Sequence, residues 1–260
     1  MKRFAIALSA LALGIPAALA ADLPARTYTK APPPSVVAVY DWSGFYIGVN
    51  GGGGGGQTCW NFVSAGFDAG CHNVRGGMVG GQIGYNWQSS NFVIGAELSG
   101  DWADLRGSNV PVLVTSGTNN SHVSSIFMAT ARAGYAWDRA LLYVRGGAAW
   151  ARQDYARTCN GVTATGSCLP VGFTPFTGRE TRVGGVVGAG FEYAVTNNLI
   201  LGIEGDYLPL GTRDNAFNAV PPYNCGAGPG QPCTIAVKEH LWTVTGRLGW
   251  KFGGPVVARY

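Results

Sequence analysis

The histidines of this sequence are the side chains best suited to acid–base or nucleophilic chemistry. Ser121 and Ser124 flank His122, Glu239 precedes His240, and His72 follows a cysteine. A histidine within hydrogen-bonding reach of a serine or a carboxylate can activate a nucleophile. The same residue types are also common in polar loops, and all three histidines lie in or beside long polar stretches. We predict that the protein is not an enzyme, and a hydrolase acting on lipid or peptide stays open as an alternative.

The six cysteines form three pairs of near neighbours, and each pair lies within one polar stretch. An exported chain with an even number of cysteines is expected to oxidise them. A metal site is the rival interpretation, but no Cys-x-x-Cys spacing occurs. We therefore predict three local disulfides, each worth about 2–3 kcal/mol, and neither metal nor cofactor. The simplest pairing is Cys59–Cys71, Cys159–Cys168 and Cys225–Cys233.

The run GGGGGGQT at Gly51–Thr58 resembles a phosphate-cradling loop. That motif requires a lysine before the Ser or Thr and a strand-to-helix context. Gln57 occupies the lysine position, and no helical pattern follows. The run predicts a flexible rim between the first strand and the loop after it.

The segments around these residues alternate between apolar and polar side chains with a period of two, which predicts β-strands. Phe92–Trp102, Leu199–Leu210 and Leu241–Phe252 are the clearest examples. No run of 18 apolar residues follows the first 20, so we predict no transmembrane helix. Eight strand segments are expected, near residues 43–51, 77–88, 92–103, 123–137, 140–151, 181–195, 199–210 and 240–252.

The connections alternate in length. Ser89–Asn91, Asp138-Arg139 and Thr196–Asn198 have the composition of tight turns. The other four connections, near 52–76, 104–122, 152–180 and 211–239, are predicted to be long loops. Short turns at one rim and long loops at the other predict an all-β fold, an eight-stranded antiparallel up-and-down barrel that spans a membrane.

A glycine–aromatic–x–aromatic motif occurs four times, at Gly84–Trp87, Gly134–Trp137, Gly190–Tyr193 and Gly249–Phe252. Both aromatics of each motif share the apolar face, and the glycine lies on the opposite, inward face. Aromatic rings at one height are typical of a membrane–water interface. A soluble, lipocalin-like barrel with its apolar face inside is the alternative. The predicted aromatic girdle consists of Tyr85, Trp87, Tyr135, Trp137, Phe191, Tyr193, Trp250 and Phe252.

The charged residues of the strands share the inward face, where neighbouring strands allow them to pair. Thr130–Trp137 and Thr245–Phe252 repeat one pattern, so Arg132 is expected to bridge Glu97 and Asp101, and Arg247 to bridge Glu204 and Asp206. Paired charges would plug a small lumen, whereas unpaired charges would favour a conducting pore. The predicted lumen charge network is Glu97, Asp101, Arg132, Arg145, Arg182, Glu192, Glu204, Asp206, Arg247 and Lys251.

The ends of the chain and its composition predict export. Residues 1–20 read as a cleaved signal peptide, for which a membrane anchor is the alternative. Residues 21–40 form a Pro-rich periplasmic arm, residues 41–252 the barrel, and 253–260 a tail. Without the signal, 16 basic and 14 acidic residues remain, which is no electrostatic footprint for nucleic acid. The arm is interpreted as a linker, with contact to the cell wall as the alternative.

The segments DWSGFYIGVNGG (Asp41–Gly52), ADLPAR (Ala21–Arg26) and GRLGWKFGGPVVARY (Gly246–Tyr260) resemble small outer-membrane β-barrel proteins of alphaproteobacteria, often labelled porin-family. The resemblance implies an eight-stranded barrel akin to the membrane domain of outer membrane protein A and to opacity proteins, with a surface or envelope role. It also implies a last strand read by the barrel assembly machinery. Phe252 is not terminal here, so either Phe252 or Tyr260 could serve as the terminal aromatic.

From these observations we predict a non-enzymatic barrel of the cell outer membrane. Its expected role is structural, at the bacterial surface, with a lumen plugged by paired charges. The alternative is a narrow channel for small solutes. The expected partners are outer-membrane lipid and lipopolysaccharide.

Overall fold

A computed structural model describes residues 40–111, 115–163, 166–221, 223 and 233–253. The predicted signal peptide, most of the predicted arm, the tail beyond Gly253 and Cys225 lie outside the described residues. Among the described residues, no helix has the length and apolar character needed to cross a membrane.

Eight long strands form a closed barrel, so the predicted fold class is confirmed. Each strand pairs antiparallel with its neighbours, and the first strand pairs with the last. A short hairpin of β6 (Gly161–Thr163) and β7 (Gly166–Cys168) lies outside this sheet, and one 3-10 turn spans Val63–Ala65. The barrel strands are β1 (Gly44–Phe62), β2 (Phe67–Ser89), β3 (Phe92–Asn109), β4 (Gly117–Trp137), β5 (Ala140–Cys159), β8 (Phe176–Ala194), β9 (Leu199–Ala219) and β10 (Cys233–Lys251).

The strands are much longer than the alternation predicts. They contain 18 to 23 residues, whereas about 9–11 residues are enough to cross a bilayer. The predicted long loops are therefore mostly strand, and only residues 63–66, 110–116, 160–175 and 220–232 connect the strands at that end. Outside the membrane both faces of a strand can be polar, so the apolar–polar alternation disappears although the strand continues.

Gly51–Thr58 is one such stretch, and the prediction of a flexible rim is wrong. All eight residues lie in β1 and pair with β2 on one side and β10 on the other. A Cβ atom added at Gly52 would lie 2.0 Å from the Val244 carbonyl oxygen, and one at Gly56 would lie 2.1 Å from that of His240. The glycines thus allow close approach of the neighbouring strand.

The barrel has a turn end and a loop end. At the turn end, β2–β3, β4–β5 and β8–β9 are joined by short turns, and both Ser90 and Asp138 adopt a φ of 54° there. Side-chain amides close this end: Asn91 donates to the Ala136 carbonyl at 2.8 Å, and Asn198 donates to the Lys251 carbonyl at 2.8 Å.

The interior is filled in layers. An apolar cluster that includes Trp42 and Leu141 closes the turn end. A charged layer follows, and then a second apolar cluster that includes Leu105 and Leu208. An aromatic cluster around Trp60 fills the loop end. The inward face is thus only partly polar, and the sequence did not predict its apolar layers.

The ladder between β8 and β9 contains one interruption. Pairing stops at Thr177↔Asn218 and resumes only at Val187↔Tyr207. Pro209 has no N–H to donate, and Gly211 has a φ of 71° and marks a bulge. We call this stretch, residues 178–186 and 208–217, the β8–β9 seam.

Candidate functional site in the barrel lumen

All ten residues of the predicted lumen charge network are buried. Each lies on a barrel strand at an inward position, which follows from the period of two along the strands. Seven of them, on β3, β4, β5, β8, β9 and β10, meet in one charged layer above the apolar cluster of the turn end: Glu97, Arg132, Arg145, Glu192, Glu204, Asp206 and Arg247.

Glu97 is the centre of this layer. Its carboxylate lies 2.8 Å from Arg145 Nη1 and 3.8 Å from Arg132 Nη1. Arg247 contacts both of its oxygens, with Nη1 donating to Oε1 at 3.1 Å. One glutamate therefore holds three guanidinium groups in a site that is almost closed to solvent, where charge-assisted hydrogen bonds are strongest.

The other carboxylates complete the arginine contacts. Arg145 pairs with Asp206 at 2.8 Å and with Glu204 at 3.0 Å. Arg132 pairs with Glu192 at 3.0 Å, and its Nε donates to Asn86 at 2.9 Å. Every arginine of the layer thus has at least two polar partners.

Arg247 also contacts Glu204, and its Nε lies 3.6 Å from Glu192. Arg247 and Glu204 lie on adjacent strands, as the sequence predicted, but Glu192 and Glu97 lie two and three strands away from β10 around the barrel. Arg132 contacts Glu97 but not Asp101, and Arg247 contacts Glu204 but not Asp206 within 4.0 Å among the described residues.

Two tyrosines explain two of the four glycines of the repeated motif. Tyr46 lies across Gly84 and donates to Glu97 Oε2 at 2.6 Å. A Cβ atom at Gly84 would lie 2.2 Å from the Tyr46 hydroxyl oxygen. Four strands further around the barrel, Tyr143 lies across Gly190 and donates to Glu204 Oε2 at 2.6 Å. The glycine makes room for a ring that orients the glutamate next to it.

Three members of the predicted network do not join this layer. Both carboxylate oxygens of Asp101 lack a hydrogen-bond partner among the described residues. The Lys251 ammonium group donates to the Asp41 carbonyl and lies 4.6 Å from the centre of the Tyr40 ring. Burial raises the pKa of the Tyr40 hydroxyl to about 12, so Tyr40 is a neutral cover at the turn end.

Arg182 is the third of these, and it lies nearer the loop end. It pairs with Glu180 and lies 3.9 Å from Glu239, while its Nη2 donates to the Val237 carbonyl at 2.7 Å. Nη1 donates to the Gly211 carbonyl at 3.3 Å. Arg182 therefore provides one donor to the Gly211 carbonyl at the β8–β9 seam and another to the Val237 carbonyl on β10.

The histidines are distributed differently from the arrangement that a rim hydrolase needs. His72 Nε2 lies 3.0 Å from Ser121 Oγ, but both residues are buried, and Trp60 Nε1 donates to the same oxygen at 3.2 Å. His122 lies on the outer wall, 3.0 Å from Asp104, and not beside a serine nucleophile. His240 lies near Tyr207, with ring centres 6.2 Å apart and ring planes inclined at 43°. The only serine–histidine contact that the described residues make is thus closed to a substrate.

Two disulfides join described residues. Cys59–Cys71 links positions that face each other in the β1–β2 ladder, with Cα atoms 4.0 Å apart. It is a cross-strand link and not the loop closure that the sequence predicted. Cys159–Cys168 joins the end of β5 to the β6–β7 hairpin. The predicted partner of Cys233, Cys225, lies outside the described residues.

The predicted aromatic girdle lies on the outer face, with side chains that are 39–57% exposed. The sequence reasoning missed a second ring nearer the loop end, formed by Trp102, Phe127, Trp150, Tyr207 and Trp242. Phe92 and Trp102 share one face ten positions apart, and Trp250 and Trp242 eight positions apart. At about 3.3 Å per residue and a tilt of about 40°, this separates the rings by about 20–25 Å. The sequence contains a signal for this second ring, because each of its five aromatic residues continues the apolar–polar alternation of its strand.

A closed antiparallel barrel with an apolar outer band between two aromatic rings defines a class of protein, the transmembrane β-barrels. The comparisons agree with this class. The family model described as outer membrane protein beta-barrel domain matches residues 5–220. The chain belongs to this family and is a protein of the cell outer membrane.

Two relatives and one solved structure show how far the similarity extends. The 31 kDa outer-membrane immunogenic proteins of Brucella melitensis and Brucella suis are each 33% identical over 223 residues, covering 77% of this chain and 86% of theirs. The crystal structure of the outer membrane protein OprG from Pseudomonas aeruginosa has a TM-score of 0.55 at 11% identity, covering 82% of this chain and 97% of that one. This likeness shows the fold.

Proposed function

We propose that the protein is a non-enzymatic structural barrel of the bacterial surface whose lumen conducts little. The observation that carries this proposal is the contact of Glu97 with Arg132, Arg145 and Arg247 in the charged layer. Conduction through the lumen requires a continuous wet path, and here ion pairs occupy the middle of the barrel. The apolar clusters on both sides of the layer support the same conclusion.

Single-channel recording in planar bilayers tests the proposal. Wild-type protein, shown to be folded by its heat-modifiable mobility on gels, should give little steady conductance. A large and stable conductance at neutral pH would contradict the closed lumen.

A narrow cation channel is the second candidate, and one observation favours it. Together with Asp101, the charged layer contains five carboxylates against three guanidinium groups, and Asp101 has no ion-pair partner within 4.0 Å among the described residues. An excess of inward negative charge would attract cations. If the wild type conducts, Asp101→Asn should reduce its cation selectivity, while Asp104→Asn on the outer wall should leave it unchanged.

The proposed orientation places both barrel termini and the short turns in the periplasm and the loop end at the cell surface. An even number of strands returns the chain to its starting side. A protease site inserted after Val171, which is 70% exposed, should be cut when protease is added to intact cells. The same site inserted after Asn197 is the matched control and should be cut only after lysis. The reverse pattern would invert the orientation.

Insertion by the barrel assembly machinery and contact of the N-terminal arm with the cell wall are further proposals. The first has a candidate residue in Phe252, which follows β10 and is 54% exposed. Phe252→Ala should lower the folded amount in the outer membrane if this aromatic is the signal. An unchanged amount would leave the role to Tyr260, which lies outside the described residues.

A further inference from the structure

Four polar side chains form a patch on the lumen wall beside the charged layer. Asn50 lies on β1, Gln82 on β2, and Ser99 and Asp101 on β3. All four occupy inward positions, and each is at most 9% exposed. We call these four residues the oxygen patch.

The strand register brings the oxygen patch together. Asn50 and Asp101 both pair with Gly80, from opposite sides, so they face each other across a glycine. Gln82 and Ser99 are direct partners in the next row of the same face. Directly opposed residues have Cβ atoms about 4.5–5.5 Å apart. The patch therefore consists of two rows of polar side chains on three consecutive strands.

Two glycines leave the space that the longer side chains occupy. A Cβ atom added at Gly80 would lie 2.3 Å from Asp101 Oδ1, so the carboxylate lies over Gly80. A Cβ atom added at Gly48 would lie 2.5 Å from Gln82 Nε2, so this amide extends over β1. The same nitrogen donates to the Val49 carbonyl at 3.4 Å, which leaves Gln82 Oε1 as an acceptor.

The oxygen patch contains five buried oxygen atoms without a hydrogen-bond partner among the described residues. They are Asn50 Oδ1, Gln82 Oε1, Ser99 Oγ and both carboxylate oxygens of Asp101. Of these, only the serine hydroxyl can also donate. Buried polar atoms in native proteins are nearly always satisfied, and a buried carboxylate needs a positive partner. The patch therefore presents more acceptors than its own donors satisfy.

The arginines of the charged layer do not supply the missing positive charge. Arg247 faces Asn50 in the β1–β10 ladder, but its guanidinium group contacts Glu97 and Glu204. In the part of the chain that the structure describes, no guanidinium group lies within 4.0 Å of Asp101. With Asp101 included, five carboxylates stand against three guanidinium groups, which leaves two negative charges unbalanced.

We propose that the oxygen patch binds a single calcium ion. Carboxylate, amide and hydroxyl oxygens are ligands of hard cations, and calcium accepts about six to eight of them in irregular geometry. The five oxygens of the patch, completed by water, provide such a set. Magnesium is less suitable, because it demands a near-ideal octahedron.

The charge of the ion follows from the charge of the layer. A divalent ion balances the two excess negative charges, whereas a sodium ion balances only half of them. The lack of a Cys-x-x-Cys spacing argues against zinc but does not bear on oxygen ligands. The inference goes beyond the proposed function and depends neither on a closed lumen nor on the orientation of the barrel.

Thermal unfolding of the full-length barrel tests this proposal, with calcium chloride as the probe and a chelator as the reference. The protein is refolded into uncharged detergent micelles without lipopolysaccharide, whose phosphates bind calcium themselves. Adding the ion before refolding lets it reach the patch before the apolar clusters close the lumen. An ion that binds only the folded state stabilises it, so calcium should raise the unfolding midpoint of the wild type.

Three variants locate the ion. Asp101→Asn should lose the response to calcium, and in chelator it should be at least as stable as the wild type, because it removes an unpaired buried charge. Gln82→Leu keeps the carboxylate but removes one ligand, so it should need at least about threefold more calcium for the same response. Asp104→Asn, on the outer wall of the same strand, is the matched control and should respond as the wild type does.

Three results would overturn the calcium site. These are a wild-type midpoint that is equal in calcium and chelator, an undiminished response in Asp101→Asn, and equal stabilisation by sodium chloride at matched ionic strength. Equilibrium dialysis with radioactive calcium should show a bound ion that Asp101→Asn loses and Asp104→Asn keeps. Heat-modifiable gel mobility shows that each variant is folded. Steady conductance in a barrel whose midpoint still responds to calcium would contradict the closed lumen and leave the calcium site intact, so the two failures are distinguishable.

Discussion

The guanidinium group of Arg247 contacts both carboxylate oxygens of Glu97 across the lumen, although 150 positions separate the two residues in the sequence. β10 and β3 are separated by β1 and β2 in the barrel wall, so this pair joins strands that are not neighbours. It can form only after the barrel has closed. The pair therefore links barrel closure to the filling of the lumen.

Arg247→Ala should destabilise the barrel and open a path for cations. The change removes one cationic partner from Glu97 and Glu204. This lowers the free energy of unfolding by about 3–5 kcal/mol in a dry interior, and by less where water enters. We expect a lower midpoint in urea unfolding from lipid vesicles, and a higher cation conductance in planar bilayers. Arg106→Ala removes an exposed ion pair and is the control, with an unchanged midpoint expected. Unaltered stability and conductance in Arg247→Ala would show that the charged layer does not close the lumen.

Gly84→Ala tests the role of the repeated motif. The added methyl group would overlap the Tyr46 ring and lie 2.7 Å from the Ala96 carbonyl oxygen, so the Tyr46–Glu97 hydrogen bond must shift. We expect a loss of about 1–3 kcal/mol in unfolding free energy, as in other overpacked sites. Gly246→Ala is the matched control, because its nearest atom is the Gly51 carbonyl oxygen at 3.8 Å. Equal stability of the two variants would contradict the packing argument.

The sequence predicts the membrane-embedded half of this barrel well, because the lipid imposes a strict alternation there. It predicts the loop-end half poorly. The sequence around Gly52 and Asn73 shows no recognisable alternation of apolar and polar residues. These residues are held in strands by hydrogen-bond ladders with segments that are distant in the sequence. Strand pairing is a property of two segments, so one segment read alone does not reveal it.

The contacts between side chains in the lumen are likewise not predictable from one strand segment alone. Alternation identifies Glu97 and Arg145 as inward residues, but it does not reveal that they meet at 2.8 Å from strands that are not adjacent. Those partners depend on how far successive strands are staggered around the barrel. The apolar layer around Leu105 was missed for another reason, since leucine on the charged face of a strand appears as a break in the pattern.

The two described disulfides should respond differently to removal. Cys59–Cys71 lies inside the β1–β2 ladder, which continues on both sides of it. Cys159–Cys168 fastens a short hairpin to β5. Limited proteolysis should therefore cut Cys159→Ser/Cys168→Ser faster within 160–175, while Cys59→Ser/Cys71→Ser should show no new cut within 59–71. Both variants should stay heat-modifiable. A peptide map that links Cys59 to any cysteine other than Cys71 would refute the arrangement.

The β8–β9 seam should be the least protected part of the barrel wall. The backbone amides that β8 and β9 direct toward each other lack a ladder there, although β8 still pairs with β5 and β9 with β10. Exchange reports such local openings. Hydrogen–deuterium exchange should be faster in 178–186 and 208–217 than in 123–131 and 148–156, where β4 and β5 pair continuously apart from one bulge. Arg182→Met should accelerate exchange at the seam, since the Gly211 carbonyl loses the donor that Arg182 supplies. Arg106→Met, on the outer wall of β3, is the control and should leave the seam unchanged. Protection at the seam equal to that of β4 and β5 would mean that the two strands pair throughout in the membrane.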